Sequence, residues 1–309
     1  MGRSVIIFIT LLAAAGASAG NHPHLLVTND DGIHAPGIAA LVDALRQEYR
    51  ITVVAPATQQ SGMGHGITFL TPVLVEELPA LDGIRRNAVH AQPATSVRIG
   101  LSALLLDDPP DLVVSGINHG DNAGRSVWLS GTVAAAREAA LAGFPAVAFS
   151  AARPPGGGDP DFAAGAQWAR QTLTVLRGAG LPRPGTLVKV ELPHPAGQAI
   201  GIVVTNQGLE PPREERYVET AGPKGERLYV SHWQPPAGDS AGTDAAALAA
   251  GFVTVTPLSL DQTDYRRLPE LASLPWLPAR EPQAGESNCV HHRKPQDRGA
   301  EPAAPPAVH

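Results

Sequence analysis

The chain has 309 residues, of which 43% are hydrophobic and 17% are charged, and its formal net charge is −6. A chain with this length and apolar content can bury a sizeable core, which excludes a disordered acidic protein. No long run of lysine and arginine offsets the negative charge, so the composition argues against binding a long nucleic acid through its phosphates. A small anionic substrate is compatible with the negative net charge, because a metal ion or a helix N-terminus can attract it locally.

Residues 1–19 are predicted to be a secretory signal peptide. Arg3 supplies a positive start, residues 5–15 are apolar, and Ala17-Ser18-Ala19 has the small-residue pattern of a cleavage site. The alternative is a membrane anchor, but the apolar run is well short of the roughly 20 residues that span a bilayer. We therefore expect a periplasmic or secreted mature protein, with a cytoplasmic location as the alternative.

The chain then alternates segments with strand and helix patterns. Short apolar runs predict strands, and apolar residues at helical spacing predict helices. The predicted strands are 25–27, 51–55, 111–115, 146–150, 187–191 and 200–205, and the predicted helices are 36–48, 93–106, 132–141 and 162–177. This order predicts an α/β fold with a mostly parallel sheet and helices on both faces.

The C-terminal part of the chain lacks this alternation. Residues 217–220, 228–233 and 252–256 have the composition of antiparallel strands, which predicts a β-rich arm at about 208–258. Residues 279–309 are predicted to be a disordered tail. The single cysteine, Cys289, excludes an intrachain disulfide; with His291 and His292 it forms either a metal clip or a part of the tail without function.

Polar loops with glycines follow three of the predicted strands. They carry Asp30 and Asp31, then Ser61, then Asn118. Parallel strands end at one edge of a sheet, so these loops are expected to converge. Mg²⁺ and Mn²⁺ prefer oxygen ligands of this kind, and adjacent carboxylates repel each other unless a cation lies between them. The sequence thus predicts a divalent metal site, with a turn or helix-capping pair of aspartates as the alternative.

A second polar segment, Ser130-Gly131-Thr132, begins the alanine-rich helix. Backbone N–H groups and two hydroxyls at a helix N-terminus favour a phosphate site. The alternative is an ordinary N-cap, because Ser and Thr are common there in any helix. The two interpretations are compatible with each other.

At these loops the sequence resembles the SurE family of survival protein E type 5′/3′-nucleotidases. The opening stretch that carries the resemblance is VTNDDGIHAPG at 27–37. The other stretches are 53–56 with 61–62, VVSGIN at 113–118, SGTVAAA at 130–136, 143–146, 242–244 and 251–258. The resemblance covers about residues 25–268, and the sequence departs from the family pattern at Leu129 and at Lys189-Val190-Glu191.

The resemblance implies a Rossmann-like domain at about 20–268, whose C-terminal β-rich arm builds homodimers or homotetramers. It implies hydrolysis of nucleoside 5′-monophosphates, and in the family also of 3′-monophosphates and short polyphosphate. One divalent cation per subunit, Mg²⁺ or Mn²⁺, is expected on the family's ligand positions, and a phosphate shell around it. The metal ligands would be Asp30, Asp31, Ser61 and Asn118, and the phosphate-binding residues would be Asn122, Ser130, Gly131 and Thr132.

The expected mechanism is metal-assisted hydrolysis, in which Asp30 or Asp31 orients the attacking water or acts as base. Direct attack by one aspartate is the alternative. His34, His65 and His119 are either candidate general acids or loop residues without a catalytic role.

Other function classes stay open from the residues alone. A periplasmic protein that binds a nucleotide or phosphate without hydrolysis is the main alternative, and a glycosyltransferase with an acidic metal pair is another. A dinucleotide oxidoreductase is disfavoured, because no G-x-G-x-x-G follows the first predicted strand.

Overall fold

A computed structural model describes residues 22–234, 236 and 238–276. The predicted signal peptide, the predicted tail and Cys289 with its two neighbouring histidines lie outside the described residues. The strands are β1 His24–Thr28, β2 Arg50–Pro56, β3 Val75–Leu81, β4 Ile84–Val89, β5 Leu112–His119, β6 Ala146–Ala151, β7 Leu187–Leu192, β8 Ile202–Val204, β9 Glu214–Ala221, β10 Arg227–Gln234 and β11 Val253–Leu258. The α-helices are α1 Pro36–Leu45, α2 Pro93–Ile99, α3 Gly131–Leu141, α4 Phe162–Gly178, α5 Asp244–Ala249 and α6 Leu268–Ala272.

Nine of these strands form one sheet in the order β3-β4-β2-β1-β5-β6-β7-β11-β8. Its centre, from β4 to β7, is parallel throughout. The edge strand β3 runs antiparallel to β4, and β11 runs antiparallel to β7. The predicted α/β fold with a mostly parallel sheet is therefore confirmed.

Helices cover both faces of the sheet. On one face, α1 and α4 pack through residues such as Leu41 and Leu173 against Val27 and Phe149. On the other face, α2 and α3 pack on a second cluster that contains Leu26, Val54, Val113 and four of the five alanines of α3. Every residue of β1 and β6 is buried, which explains why these strands are short continuous apolar runs.

Local sequence sets where several helices begin. Pro36 lies at the start of α1, where its missing N–H costs nothing. The side chains of Ser130, Asp161 and Thr243 accept hydrogen bonds from backbone N–H groups in the first turns of α3, α4 and α5. These caps satisfy N–H groups that have no partner within the helix.

The hairpin β3–β4 is the part of the sheet that the sequence pattern does not predict. Most of β3 is exposed, and β4 carries Arg85 and Arg86, so neither segment is a continuous apolar run. Polar residues are common on edge strands, where only one side of the strand is paired. A prediction from apolar runs and their spacing therefore assigns residues 75–89 to a loop.

Three other boundaries differ from the prediction. The second helix ends at Ile99 and continues as a π-helix over Gly100–Leu104. Strand β5 runs past Gly116 to His119. Strand β11, which the sequence grouped with the arm, lies inside the sheet between β7 and β8, because its buried valine and threonine positions pair with both neighbours.

The segment outside the sheet is the hairpin of β9 and β10, a separate two-stranded antiparallel sheet. It is shorter than the predicted arm, and its role in assembly stays a prediction. The described residues divide into two compact units, one ending at Asp261 and one beginning at Gln262, and the second contains α6. Within the described part of the chain, no helix has the length and hydropathy to cross a membrane.

Candidate active site

Three predicted site segments meet at the carboxyl edge of the sheet. Thr28, the last residue of β1, pairs with Ser115 of β5, so Asp30 and Asp31 emerge beside that strand. The loop after β2 joins them, because the N–H of Gln60 donates to the backbone oxygen of Asp30 at 2.7 Å. Ser61 therefore lies in a segment fixed against Asp30, which is the convergence that the sequence predicts.

Asp30 is almost fully enclosed, with 2% of its surface exposed. The hydroxyl of Thr132, in the first turn of α3, donates a hydrogen bond to its carboxylate. Burial raises the pKa of Asp30 to about 6, because a charged carboxylate is costly away from water. The Thr132 hydrogen bond opposes this increase, and the neighbouring Asp31 carboxylate adds to it.

Asp31 is held differently and is more accessible. Its Oδ2 accepts the backbone N–H of His119 at 2.9 Å, which ties the first loop to the end of β5. Burial raises the pKa of Asp31, while the hydrogen bond and the charge of His119 lower it. Its partial exposure leaves Asp31 the more open of the two carboxylates.

Asn118 and Ser61 complete the predicted ligand set. Asn118 is buried in β5, and its Nδ2 donates to the carbonyl of Gly120 at 2.7 Å. This bond leaves Oδ1 as the atom of the amide that can bind a cation. Ser61 is exposed, and Gln59 donates to its Oγ at 3.3 Å. Their assignment as metal ligands stays a prediction.

The donor chemistry of the site fits a hard cation. Two carboxylates, an amide oxygen and a hydroxyl supply oxygen atoms alone. The buried Oδ1 of Asn29, between Thr28 and Asp30, has no hydrogen-bond partner among the described residues. In the same part of the chain, no group of three or more His, Cys, Asp or Glu residues suits a metal. Such a site therefore depends on Ser61 and Asn118 as well as on the aspartates.

The N-terminus of α3 lies directly against Asp30. A Cβ added at Gly131 would come within 2.8 Å of the Asp30 Cβ and 2.9 Å of its Oδ2, so only glycine fits there. Ser130 caps the helix by accepting the N–H of Val133 at 3.0 Å. The hydroxyl of Thr132 donates to Asp30, and the backbone of Thr132 also hydrogen-bonds to that carboxylate, so both protons of Thr132 are directed at Asp30.

Asn122 lies in the loop after β5. It is 7% exposed, and its Nδ2 donates to Ser150 Oγ at 2.8 Å. An amide nitrogen carries two N–H groups, so one stays available for a phosphate oxygen. The proposed roles of Asn122, Ser130, Gly131 and Thr132 toward phosphate stay predictions.

The three candidate histidines all have charged partners. His119 Nε2 lies 3.0 Å from Asp159 Oδ1, and His65 Nε2 lies 2.8 Å from Glu138 Oε2. His34 is 3.4 Å from a guanidinium nitrogen of Arg86. His119 is the one whose backbone contacts Asp31, but these contacts do not select a general acid.

Sequence reasoning missed two features of the site. The first is the function of Thr132 as the hydrogen-bond donor that orients Asp30. The second is a buried group of charges, Lys189, Glu191 and Asp244, that contacts the loop containing Asn122. Its signal in the sequence is a pair of charged residues that alternate with valine inside an otherwise apolar strand.

Comparisons with known proteins agree with this arrangement. A family profile described as survival protein SurE matches residues 25–214. The 5′-nucleotidase SurE of Geobacter sulfurreducens is 42% identical over 266 residues, which are 85% of this chain and 97% of that protein. That of Desulfatibacillum aliphaticivorans is 40% identical over 253 residues, or 80% and 96% of the two chains.

A solved structure shows the same fold. The crystal structure of the SurE protein from Aquifex aeolicus matches with a TM-score of 0.69 and 34% sequence identity, over 81% of this chain and 98% of that one. The matches cover most of the chain, and the range matched by the family profile contains Asp30 and Asp31. The chain belongs to the SurE family.

Proposed function

We propose that the protein is a divalent-metal-dependent phosphomonoesterase that hydrolyses nucleoside 5′-monophosphates to nucleoside and phosphate. The observation that carries the proposal is the contact between Asp30 and the N-terminus of α3, with a second carboxylate, Asp31, adjacent in the chain. A cation site and an anion site thereby adjoin each other. The names of the relatives, 5′-nucleotidase SurE, support a nucleotide as the substrate.

The residues present fit Mg²⁺ or Mn²⁺ held by Asp30, Asp31, Ser61 and Asn118. A bound cation would offset negative charge on the phosphate oxygens and lower the pKa of a bound water. The raised pKa values of both aspartates support this assignment, because burial makes each charged carboxylate costly without a counter-charge.

The side chains divide the remaining tasks. Thr132 fixes the rotamer of Asp30, which makes Asp30 a rigid ligand. Asp31 is more open and is the better placed carboxylate to orient an attacking water or accept its proton. The backbone N–H of Gly131 at the start of α3, with the second N–H of Asn122, would bind the phosphate oxygens. Direct attack by an aspartate is the alternative that this geometry leaves available.

The test is phosphate release by the purified mature protein from nucleoside 5′- and 3′-monophosphates and short polyphosphate. We expect release from 5′-monophosphates that EDTA abolishes and that Mg²⁺ or Mn²⁺ restores. Release that is insensitive to EDTA would contradict the role of the metal. Nucleotide binding without any release, in the presence of either metal, would instead favour the non-catalytic binding protein.

Two further properties are proposed with this function. Export to the periplasm or the medium rests on the signal-peptide pattern of residues 1–19. Assembly into homodimers or homotetramers rests on the hairpin β9–β10, which exposes large side chains. These exposed side chains include Tyr217, Tyr229 and Trp233.

A further inference from the structure

Three charged side chains lie fully buried behind the candidate site. Lys189 and Glu191 are on β7, Asp244 begins α5, and all three are 0% exposed. The Lys189 ammonium donates to Asp244 Oδ2 at 2.6 Å and to Glu191 Oε1 at 3.1 Å. We call these three residues the buried charge cluster.

The buried charge cluster contacts the loop that contains Asn122 from several sides. Glu191 Oε2 accepts the backbone N–H of Asn122 at 2.8 Å, and Lys189 donates to its carbonyl at 3.3 Å. Asp244 Oδ2 accepts the N–H of Gly124 at 3.0 Å. Both backbone polar groups of Asn122 are thus bonded to charged side chains.

The same cluster extends to the segment that leads into the hairpin β9–β10. Asp244 Oδ1 accepts the N–H of Gly208 at 2.8 Å. Gln207 donates from Nε2 to the carbonyl of Gly124 at 2.9 Å. The backbone of the Asn122 loop is consequently hydrogen-bonded to β7, α5 and this segment.

Burying these charged groups costs free energy that apolar side chains of similar size would not cost. Burial raises the pKa of Glu191 to about 7, which Lys189 opposes and the nearby Asp121 increases. Burial disfavours the charged form of Lys189, but the two carboxylates outweigh it and raise the pKa of Lys189. Apolar residues of similar volume often stabilise a protein as well as a buried ion pair does. An ionic cluster at this point therefore calls for a specific use.

We propose that the buried charge cluster positions the Asn122 loop for phosphate binding, with Glu191 as the positioning residue that fixes the Asn122 backbone. This inference rests on the proposed function, because it takes the side chain of Asn122 as a phosphate ligand. The side chain of Asn122 is hydrogen-bonded to Ser150, and its backbone is hydrogen-bonded to Glu191 and Lys189. These bonds fix the orientation of the second N–H of Nδ2. A defined direction reduces the ordering that substrate binding would otherwise need.

The variants are chosen to separate positioning from stability. Glu191→Leu removes the acceptor and leaves Lys189 paired with Asp244. Glu191→Gln keeps the length of the side chain and one of its two acceptor oxygens. Val190→Ala is the matched control, because it opens a cavity at the adjacent position of β7, on the face that packs in the hydrophobic core.

Two measurements are made on each full-length variant. Amide hydrogen exchange of the peptide around Asn122 reports on the loop without requiring activity. Calorimetric titration with inorganic phosphate in the presence of Mg²⁺ reports on the site. We expect Glu191→Leu to exchange faster and to bind phosphate roughly 10- to 100-fold more weakly, the range for losing a hydrogen bond to a charged group. Glu191→Gln should lose less, and Val190→Ala should match the wild type in both.

Equal exchange rates and equal phosphate affinities in Glu191→Leu and Val190→Ala would overturn the inference. Faster exchange with unchanged phosphate affinity would overturn it too, because the cluster would then be structural only. Should Glu191→Leu not fold, the same comparison applies to Glu191→Gln. A wild-type protein that does not bind phosphate would contradict the proposed function, while the exchange rates would still decide whether the cluster holds the loop.

Discussion

Replacing Asp30 by asparagine is expected to lower phosphate release by about 10³-fold, because loss of a metal-ligand carboxylate removes several kcal/mol of transition-state stabilisation. Asparagine has the same shape and can still accept the hydrogen bond of Thr132, so the fold should be retained. The measurement is kcat/KM for a nucleoside 5′-monophosphate at saturating Mg²⁺ or Mn²⁺. Turnover close to that of the wild type would contradict the role assigned to Asp30.

The same substitution should stabilise the metal-free protein. The pKa of Asp30 rises from 3.8 to about 6 on folding, a shift of about two units that corresponds to about 3 kcal/mol. The folded protein binds this proton more tightly than the unfolded chain does. The protonation of Asp30 therefore contributes to the unfolding free energy near pH 4, and this contribution is lost as the pH rises through about 6. In EDTA, Asp30→Asn should exceed the wild type in unfolding free energy at pH 8 and approach it near pH 4.

Asp43→Asn is the matched control for both measurements. Asp43 lies on the surface of α1, where it forms an exposed ion pair with Arg46. Exposed pairs of this kind contribute little to stability. The control should leave turnover and the pH dependence of stability unchanged. If Asp30→Asn behaves like this control at pH 8 in EDTA, Asp30 does not carry a costly buried charge.

Replacing Gly131 by alanine is the second large effect that we expect. The added methyl would lie 2.8 Å from Asp30 Cβ and 2.9 Å from its Oδ2, closer than nonbonded atoms approach. Either the carboxylate or the start of α3 must move. Displacements of about 1 Å in a catalytic site cost on the order of 10²-fold in rate, and we expect that loss in kcat/KM.

Gly178→Ala provides the matched control. Gly178 ends α4, and a Cβ there would meet no atom within 4 Å. Alanine in place of glycine in a helix stabilises by roughly 0.5–1 kcal/mol, so this variant should keep full activity. Equal activities of Gly131→Ala and Gly178→Ala would show that the contact between α3 and Asp30 is not needed.

The central strands were predictable because burial on both faces leaves a clear pattern. β1, β2, β5 and β6 each contain a short, mostly apolar and buried run, and each prediction falls within a few residues of the observed strand. β3 and β4 leave no such pattern, because an edge hairpin needs little apolar surface. The place of β11 in the sheet depends on long-range pairing, which a local pattern does not contain.

The sequence predicts which loops form the candidate site, but it does not predict the contacts between their side chains. Aspartates directly after a buried strand already indicate the carboxyl edge, and the position of Gly131 at a helix start indicates an anion site. That Thr132 would donate to Asp30, 102 positions away in the chain, follows only from the packing of α3 on β5 and β6. The use of Glu191 likewise depends on a partner in a distant loop.

We propose that the loops after β1, β2 and β5 hold a divalent cation beside a phosphate site. The most direct test is an anomalous difference map from crystals soaked in Mn²⁺. We expect one peak per subunit in coordination contact with the carboxylates of Asp30 and Asp31 and close to Asn118. A map of good quality with no peak beside these two carboxylates would contradict it.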